Sequence, residues 1–275
     1  MKSPIQIHET AFVTATYRAS NKSLSKDPYS YLWANAKTDQ WIKRYTKAVS
    51  KEEPYVHCLR NRYFIETITQ LIEASRVKAL INFGCGFSMY PFILPDGIIN
   101  IEIDKPEVIT YKKKKVENWI SKGKLPARNI HYISKNFKSG ISELKKEINF
   151  IIQDAPSFIL IEGVLFFLNA TDTTLLINLF NDIQSKGGYL GSVSFIDSIE
   201  NTNCFKRLIQ FYKKEVIVNS GFEYQTIPSE YYSSLKDYQL IEHEDYVSLS
   251  EKFDPKNKIQ NGEEILNEHM YLLKK

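Results

Sequence analysis

The chain is poor in the residues that staple or anchor a protein. Its three cysteines, Cys58, Cys85 and Cys204, are odd in number and far apart in 275 residues, which argues against a disulfide framework and gives no paired metal-ligand spacing. A reducing, cytoplasmic setting fits that usage, and no metal site is expected. No apolar run approaches bilayer-spanning length, and Met1 to Thr10 lack the continuous apolar segment of a signal peptide, so no membrane role is expected either. Charge of one sign is also missing: 36 basic and 32 acidic residues leave a net +4, too balanced to point to nucleic acid. The hydrophobic share is 43%, enough to bury the core of one large α/β domain without staples.

The stretch Lys78-Ala79-Leu80-Ile81-Asn82-Phe83-Gly84-Cys85-Gly86 reads as a buried strand that breaks into a tight glycine turn. Asp104 follows Gly84 by 20 residues, at the end of a second apolar run, where a nucleotide-binding sheet places its ribose carboxylate. Further strands are predicted near 130–133, 157–161, 189–195 and at His269 to Leu273. They alternate with helical segments, as parallel strands joined by crossover helices do. The helix over 107–120 turns Val108, Ile109, Val116, Trp119 and Ile120 inward and the run Lys112 to Lys115 outward as a solvated face. Thr171 is the expected N-cap of a helix that stops at Gly187-Gly188. Asp27-Pro28 marks a helix start in the N-terminal part. There, Tyr63/Phe64, Thr67/Ile68 and Leu71/Ile72 form an apolar stripe on a helix that carries Arg60 and Arg62. Phe211, Tyr212, Phe222, Tyr224, Tyr231 and Tyr232 crowd the region from Phe205 to Tyr238, either as core and cap packing or as a substrate pocket. Residues 1–75 read as an N-terminal helical cap, and 76–275 as a core with an aromatic-rich cap insertion around 200–237.

Several blocks in their order resemble the leucine carboxyl methyltransferase-like branch of the class I S-adenosylmethionine (SAM)-dependent methyltransferases. They are Thr14-Ala15-x-x-Arg18-Ala19 with Asp27-Pro28-Tyr29, Arg60-Asn61-Arg62-Tyr63-Phe64, Phe83-Gly84-Cys85-Gly86-Phe87, Glu102-Ile103-Asp104-Lys105-Pro106-Glu107-Val108, and Ile161-Glu162-Gly163-Val164-Leu165-Phe166-Phe167-Leu168. The resemblance implies a Rossmann-like fold: a mostly parallel seven-stranded sheet, helices on both faces, an antiparallel C-terminal strand and an N-terminal helical cap. It also implies SAM as cofactor, with S-adenosylhomocysteine as product. Arg60, helped by Arg18, would hold the SAM carboxylate, for which a planar guanidinium fork is suited. Gly84 and Gly86 would let the backbone pass under the cofactor, Asp104 would accept the ribose hydroxyls, Glu162 would take the amino group, and Asn136 would pair with adenine. Two departures stand out. Ser88 follows the turn where relatives commonly carry aspartate, and Phe167 stands where they often carry tyrosine.

The expected reaction is methyl transfer to a carboxylate or hydroxyl oxygen of a small-molecule, natural-product or peptide acceptor, by in-line displacement. A carboxylate acceptor is already ionised and needs no base; a hydroxyl would make use of one, and His57, His131 and His243 are the mid-chain imidazoles, each more readily explained structurally. No catalytic residue is assigned, since alignment and exclusion of water would carry the step. Two other readings share the glycine turn. A nicotinamide-dependent oxidoreductase would want a third glycine where Met89 stands, and a SAM-fold binding module without turnover would fit the departures at Ser88 and Phe167.

Overall fold

The structure is a computed structural model that describes residues 5–6, 10–217 and 223–275. Seven strands form one sheet: β1 (Ala79–Phe83), β2 (Ile99–Asp104), β3 (Ile130–Ser134), β4 (Ser157–Ile161), β5 (Tyr189–Ser194), β6 (Gln239–Asp245) and β7 (His269–Lys274). Their order across the sheet is β3-β2-β1-β4-β5-β7-β6, and β7 runs antiparallel to both its neighbours while the other pairings are parallel. The main helices are α1 (Thr10–Ala19), α2 (Ala36–Ala48), α3 (Glu53–Glu73), α4 (Pro106–Ser121), α5 (Ile141–Ile152), α6 (Ala170–Ile183), α7 (Asn203–Glu215) and α8 (Tyr246–Phe253).

The central strands are apolar at nearly every position because helices cover both faces. Every residue of β1, β4 and β5 is buried. On one face Ile81, Phe83, Ile159 and Ile161 meet Leu144 and Ile148 of α5 and Leu176 and Phe180 of α6. The alternate residues Leu80, Phe158 and Leu160 meet Val56, Leu59, Phe64 and Ile68 of α3 on the other. Each such buried leucine or phenylalanine contributes roughly 1.5–3 kcal/mol. The apolar stripe expected on the arginine-bearing helix is therefore what docks α3 on the sheet.

The chain leaves β1 toward β2 and β3, then returns to place β4 on the other side of β1. This reversal opens a crevice at the carboxyl ends of β1 and β4, where such sheets bind ligands. Above it, α1 packs against α2 and α3, and α2 against α7. A two-residue parallel pairing of Ile5–Gln6 with Val216–Ile217 ties the α1 side to the end of α7.

Several local expectations need correction. Lys112 is fully buried and pairs with Glu102, while Lys113 to Lys115 do face solvent. Lys112 sits four residues from both Val108 and Val116, so the helix period carries it inward, and Glu102 on β2 supplies the charge partner. The cap of α6 is Asn169, whose side chain accepts from the Asp172 amide, rather than Thr171, and the helix stops at Ile183, before Gly187-Gly188. Asp27 Oδ1 accepts from the Tyr29 and Ser30 amides, both at 2.8 Å, and so braces the entry to a short 3-10 turn, Ser30–Trp33, instead of starting an α-helix. Strand β6 was not anticipated: it is an edge strand with polar residues at most positions. In the aromatic stretch, Tyr232 stacks on Tyr271 in the sheet core at 3.8 Å, Phe222 lies outside the described residues, and Phe211 and Tyr212 reach the site described next.

Candidate active site

The turn after β1 is shaped by two left-handed residues, Gly84 at φ +68° and Gly86 at φ +45°. Space demands glycine as strongly as conformation does. A Cβ on Gly84 would lie 2.2 Å from Val164 Cγ2, and one on Gly86 would lie 3.2 Å from the Ala11 Cβ of α1. The turn is thus gripped by the β4 loop and roofed by the first helix. Beneath it lies a buried polar layer. The Asn82 amide donates to Ser88 Oγ at 2.8 Å and to Glu102 Oε1 at 3.3 Å, Ser88 Oγ donates to the Cys85 carbonyl at 2.8 Å, and Glu102 holds Lys112. Ser88 therefore serves the turn itself.

Asp104 ends β2 with its carboxylate against the turn: Oδ2 accepts from the Gly86 amide at 2.8 Å and Oδ1 from the Lys105 amide at 2.7 Å. Burial raises its pKa, opposed by these two backbone donors.

Glu162 follows β4 directly and is the centre of the site's charge. Its Oε1 accepts from Arg18 of α1 and from Nε of Arg60 of α3, both at 2.7 Å, and its Oε2 from the Tyr90 hydroxyl at 2.9 Å. Burial alone would raise the Glu162 pKa, but Arg18, Arg60 and the Tyr90 bond outweigh it and bring it down to about 2. Arg60 is shared, since its other end contacts Glu268, just before β7, together with Tyr246 of α8. Arg18 Nε is buried with no partner. Two guanidinium groups, an ionised carboxylate and an unmade hydrogen bond next to a glycine turn suit the zwitterionic end of an amino acid, whose carboxylate wants arginine and whose ammonium wants a carboxylate.

One cavity collects these groups. Arg18, Arg60, Gly84, Gly86 and Glu162 all line it, as do Ser88 and Phe167. Asp104 and Asn136 do not line it: Asp104 stands behind the turn, and Asn136 is exposed after β3, its Oδ1 accepting from the Lys138 amide at 3.2 Å. Arg62 points elsewhere, to Glu66 at 2.6 Å. Of the three mid-chain imidazoles, only His57 reaches the cavity; His243 instead meets His269 at 2.8 Å. The remaining wall is aromatic, with Trp41, Tyr45, Phe166, Phe195, Phe211 and Tyr212. Tyr90, Glu268, Tyr246, Tyr17 and Glu53 also belong to the site and were not singled out in sequence. They come from five separate segments: Tyr17 stands at an unspecified position inside the Thr14 to Ala19 block and Tyr90 two residues beyond Ser88, while the other three lie outside the motifs.

Comparison with known proteins agrees with this arrangement. The leucine carboxyl methyltransferase family model matches residues 8–181, more than half of the chain. A candidate S-adenosyl-L-methionine-dependent methyltransferase of Mycobacteroides abscessus is 25% identical over 175 residues, which cover 60% of this chain and 56% of that protein. The match thus spans little more than half the length of that relative. Among solved structures, a candidate methyltransferase from Thermobifida fusca superposes with a TM-score of 0.68 at 13% identity, covering 99% of this chain and 95% of that one. A DUF574-family protein from Streptomyces avermitilis follows with a TM-score of 0.66 at 10% identity, covering 97% of each chain. At such identities these structures speak for the fold alone, which is that of a class I methyltransferase. With a family model spanning the glycine turn, Asp104 and Glu162, the chain belongs to the leucine carboxyl methyltransferase family, whose cofactor is S-adenosylmethionine.

Proposed function

We propose that the protein transfers the methyl group of SAM to an oxygen nucleophile, a carboxylate or hydroxyl of a small molecule, natural product or peptide. The observation that carries this reading is the Arg18–Glu162–Arg60 cluster beside the Gly84–Gly86 turn, in one cavity at the sheet's switch point. When bound, SAM supplies a methyl group made electrophilic by its sulfonium. Arg18 and Arg60 hold the cofactor's carboxylate, and Glu162, kept ionised by them, takes its ammonium group. The glycine turn admits the cofactor's backbone-facing edge, and Asp104 fixes that turn through the Gly86 amide while its remaining lone pairs serve the ribose. α1 roofs the turn at Ala11 and keeps water from it. A carboxylate acceptor then needs alignment only. Among the described residues, no helix is long and apolar enough to cross a membrane, in keeping with an acceptor met in water.

Thermal unfolding with S-adenosylhomocysteine or NAD tests this. The first should raise the Tm, since a ligand at about 100 times its Kd adds about 2.7 kcal/mol, and NAD should leave it unchanged. A shift with NAD alone would point back to a dehydrogenase. Labelled SAM with host extract then reads out the acceptor: a base-labile product is an ester, a base-stable one an ether.

A further inference from the structure

The cavity holds two polar groups that the cofactor contacts leave unused. Glu53, in the first turn of α3, is 3% exposed, yet its Oε1 has no hydrogen-bond partner. Tyr17 of α1 is 2% exposed, and its hydroxyl is also unpartnered. Both line the same cavity as Gly84, Gly86 and Glu162. Burying two unsatisfied polar groups costs stability, and their natural complement is a ligand atom that can both donate and accept.

The groups around Glu53 decide which role it can take. From its own helix come Arg60, which lowers its pKa, and His57. From other elements come Glu268, which raises it, and the hydroxyls of Tyr17 on α1, Tyr45 on α2, Tyr212 on α7 and Tyr246 on α8, with the Cys204 thiol on α7. Arg60 is already engaged by Glu162 and Glu268. His57 donates its Nδ1 proton to the Glu53 carbonyl at 2.9 Å, and burial together with Arg60 and Arg18 keeps the ring neutral, so it gives Glu53 no countercharge. Burial therefore dominates and holds the Glu53 carboxyl well above its ordinary value, which makes its carboxylate a stronger proton acceptor than a solvated one.

The walls beside these groups are aromatic. Tyr45 packs edge-on to Phe211 at 5.0 Å, Tyr17 lies 6.2 Å from Tyr45, and Phe167 meets Tyr212 at 5.9 Å. We propose that the acceptor is a hydroxyl on an aromatic ring, that Glu53 is its general base, and that the Tyr17 hydroxyl orients it. This rests on the SAM-dependent O-methyl transfer proposed above. The Glu53 carboxylate takes the hydroxyl proton as the new O–CH3 bond forms and the S–CH3 bond breaks. The bonding pair stays on sulfur and cancels the sulfonium charge. The products are an aryl methyl ether, S-adenosylhomocysteine and a neutral Glu53 carboxyl that returns its proton to water.

The test uses 4-methylphenol and 2-naphthol against benzoate and 2-naphthoate, with the full chain and labelled SAM. The phenols should give base-stable ethers. Glu53→Gln should lower kcat by about 10²–10⁴-fold and remove the rising limb of the pH profile, while S-adenosylhomocysteine affinity by calorimetry stays within about twofold. Binding of 4-methylphenol to the S-adenosylhomocysteine complex should weaken about tenfold or more in the same variant. Tyr17→Phe deletes only an unpartnered hydroxyl, so it should keep or raise the Tm yet weaken 4-methylphenol binding; this readout stands even if Glu53→Gln misfolds. Methylation of the carboxylates in place of the phenols, of neither series, a wild-type profile in Glu53→Gln, or loss of the rising limb in His57→Gln instead would each overturn the assignment. If S-adenosylhomocysteine binds while these results fail, only the acceptor chemistry falls; if it does not bind, the SAM reading falls with it.

Discussion

Replacing Glu162 by glutamine keeps the shape of the site and removes one charge, and two lines of reasoning give the size of the effect. The pKa of Glu162 falls from 4.5 to about 2 on folding, which corresponds to about 3 kcal/mol of stability at neutral pH. Independently, removing one partner from a buried ion pair costs about 3–5 kcal/mol, because the charges left behind, here Arg18 and Arg60, stay buried. Glu162→Gln should therefore lose about 3 kcal/mol at pH 7. With a urea slope of about 1–3 kcal/mol per molar, the midpoint drops by roughly 1 M or more. The pH dependence follows from the sign of the shift. A carboxyl whose pKa is depressed in the folded chain contributes fully above the unfolded value of 4.5 and loses that contribution as pH falls toward about 2. The gap between wild type and variant should close across that window. A variant as stable as wild type at pH 7, or a gap undiminished at pH 2.5, would refute the reasoning.

Three further outcomes are expected. Asp104→Ala should weaken S-adenosylhomocysteine binding by about 1.5–3 kcal/mol in calorimetry, and unchanged affinity in the folded variant would remove Asp104 from the cofactor site. Gly84→Ala should cost about 2–5 kcal/mol, part from a left-handed φ of +68° and part from the 2.2 Å approach to Val164; adding Val164→Ala should recover the clash alone, and a double-mutant cycle with no coupling would contradict the packing. Lys112→Met should lose about 3–5 kcal/mol by leaving Glu102 buried and unpaired, whereas Lys113→Met should change stability by less than about 0.5 kcal/mol; equal small losses in chemical denaturation would return Lys112 to the surface.

How much of this was legible in the sequence depends on whether a feature is local. The runs that became β1, β2, β4 and β5 are apolar because both faces of each strand are covered, and Gly84 and Gly86 declare their turn because no other residue fits. Glu162 is legible because it ends such a run. β6 escaped notice because an edge strand exchanges apolar residues for polar ones and so loses the pattern by which strands are found. Lys112 misled because four lysines in a row read as a solvated face, although the spacing from Val108 to Val116 put one of them inside. Glu53 and Glu268 belong to none of the blocks read from the sequence. Their roles arise from groups brought in by other elements, which spacing along the chain does not encode. Asn136 was assigned by position after β3, but there the backbone forms a 3-10 turn that its side chain caps at the surface.

The bond from Arg60 to Glu268 joins residues 208 apart in sequence, and Glu268 immediately precedes the one strand that enters the sheet against its neighbours. Contacts of such separation are closed late in folding, because the entropy of a long loop must be met before they form. During synthesis, Arg60, Glu162 and the glycine turn leave the ribosome more than a hundred residues before their last partner. The proposed amino-acid end of the cofactor site is thus completed only when β7 slides between β5 and β6, and retention on immobilised S-adenosylhomocysteine would separate finished molecules from nascent or truncated ones.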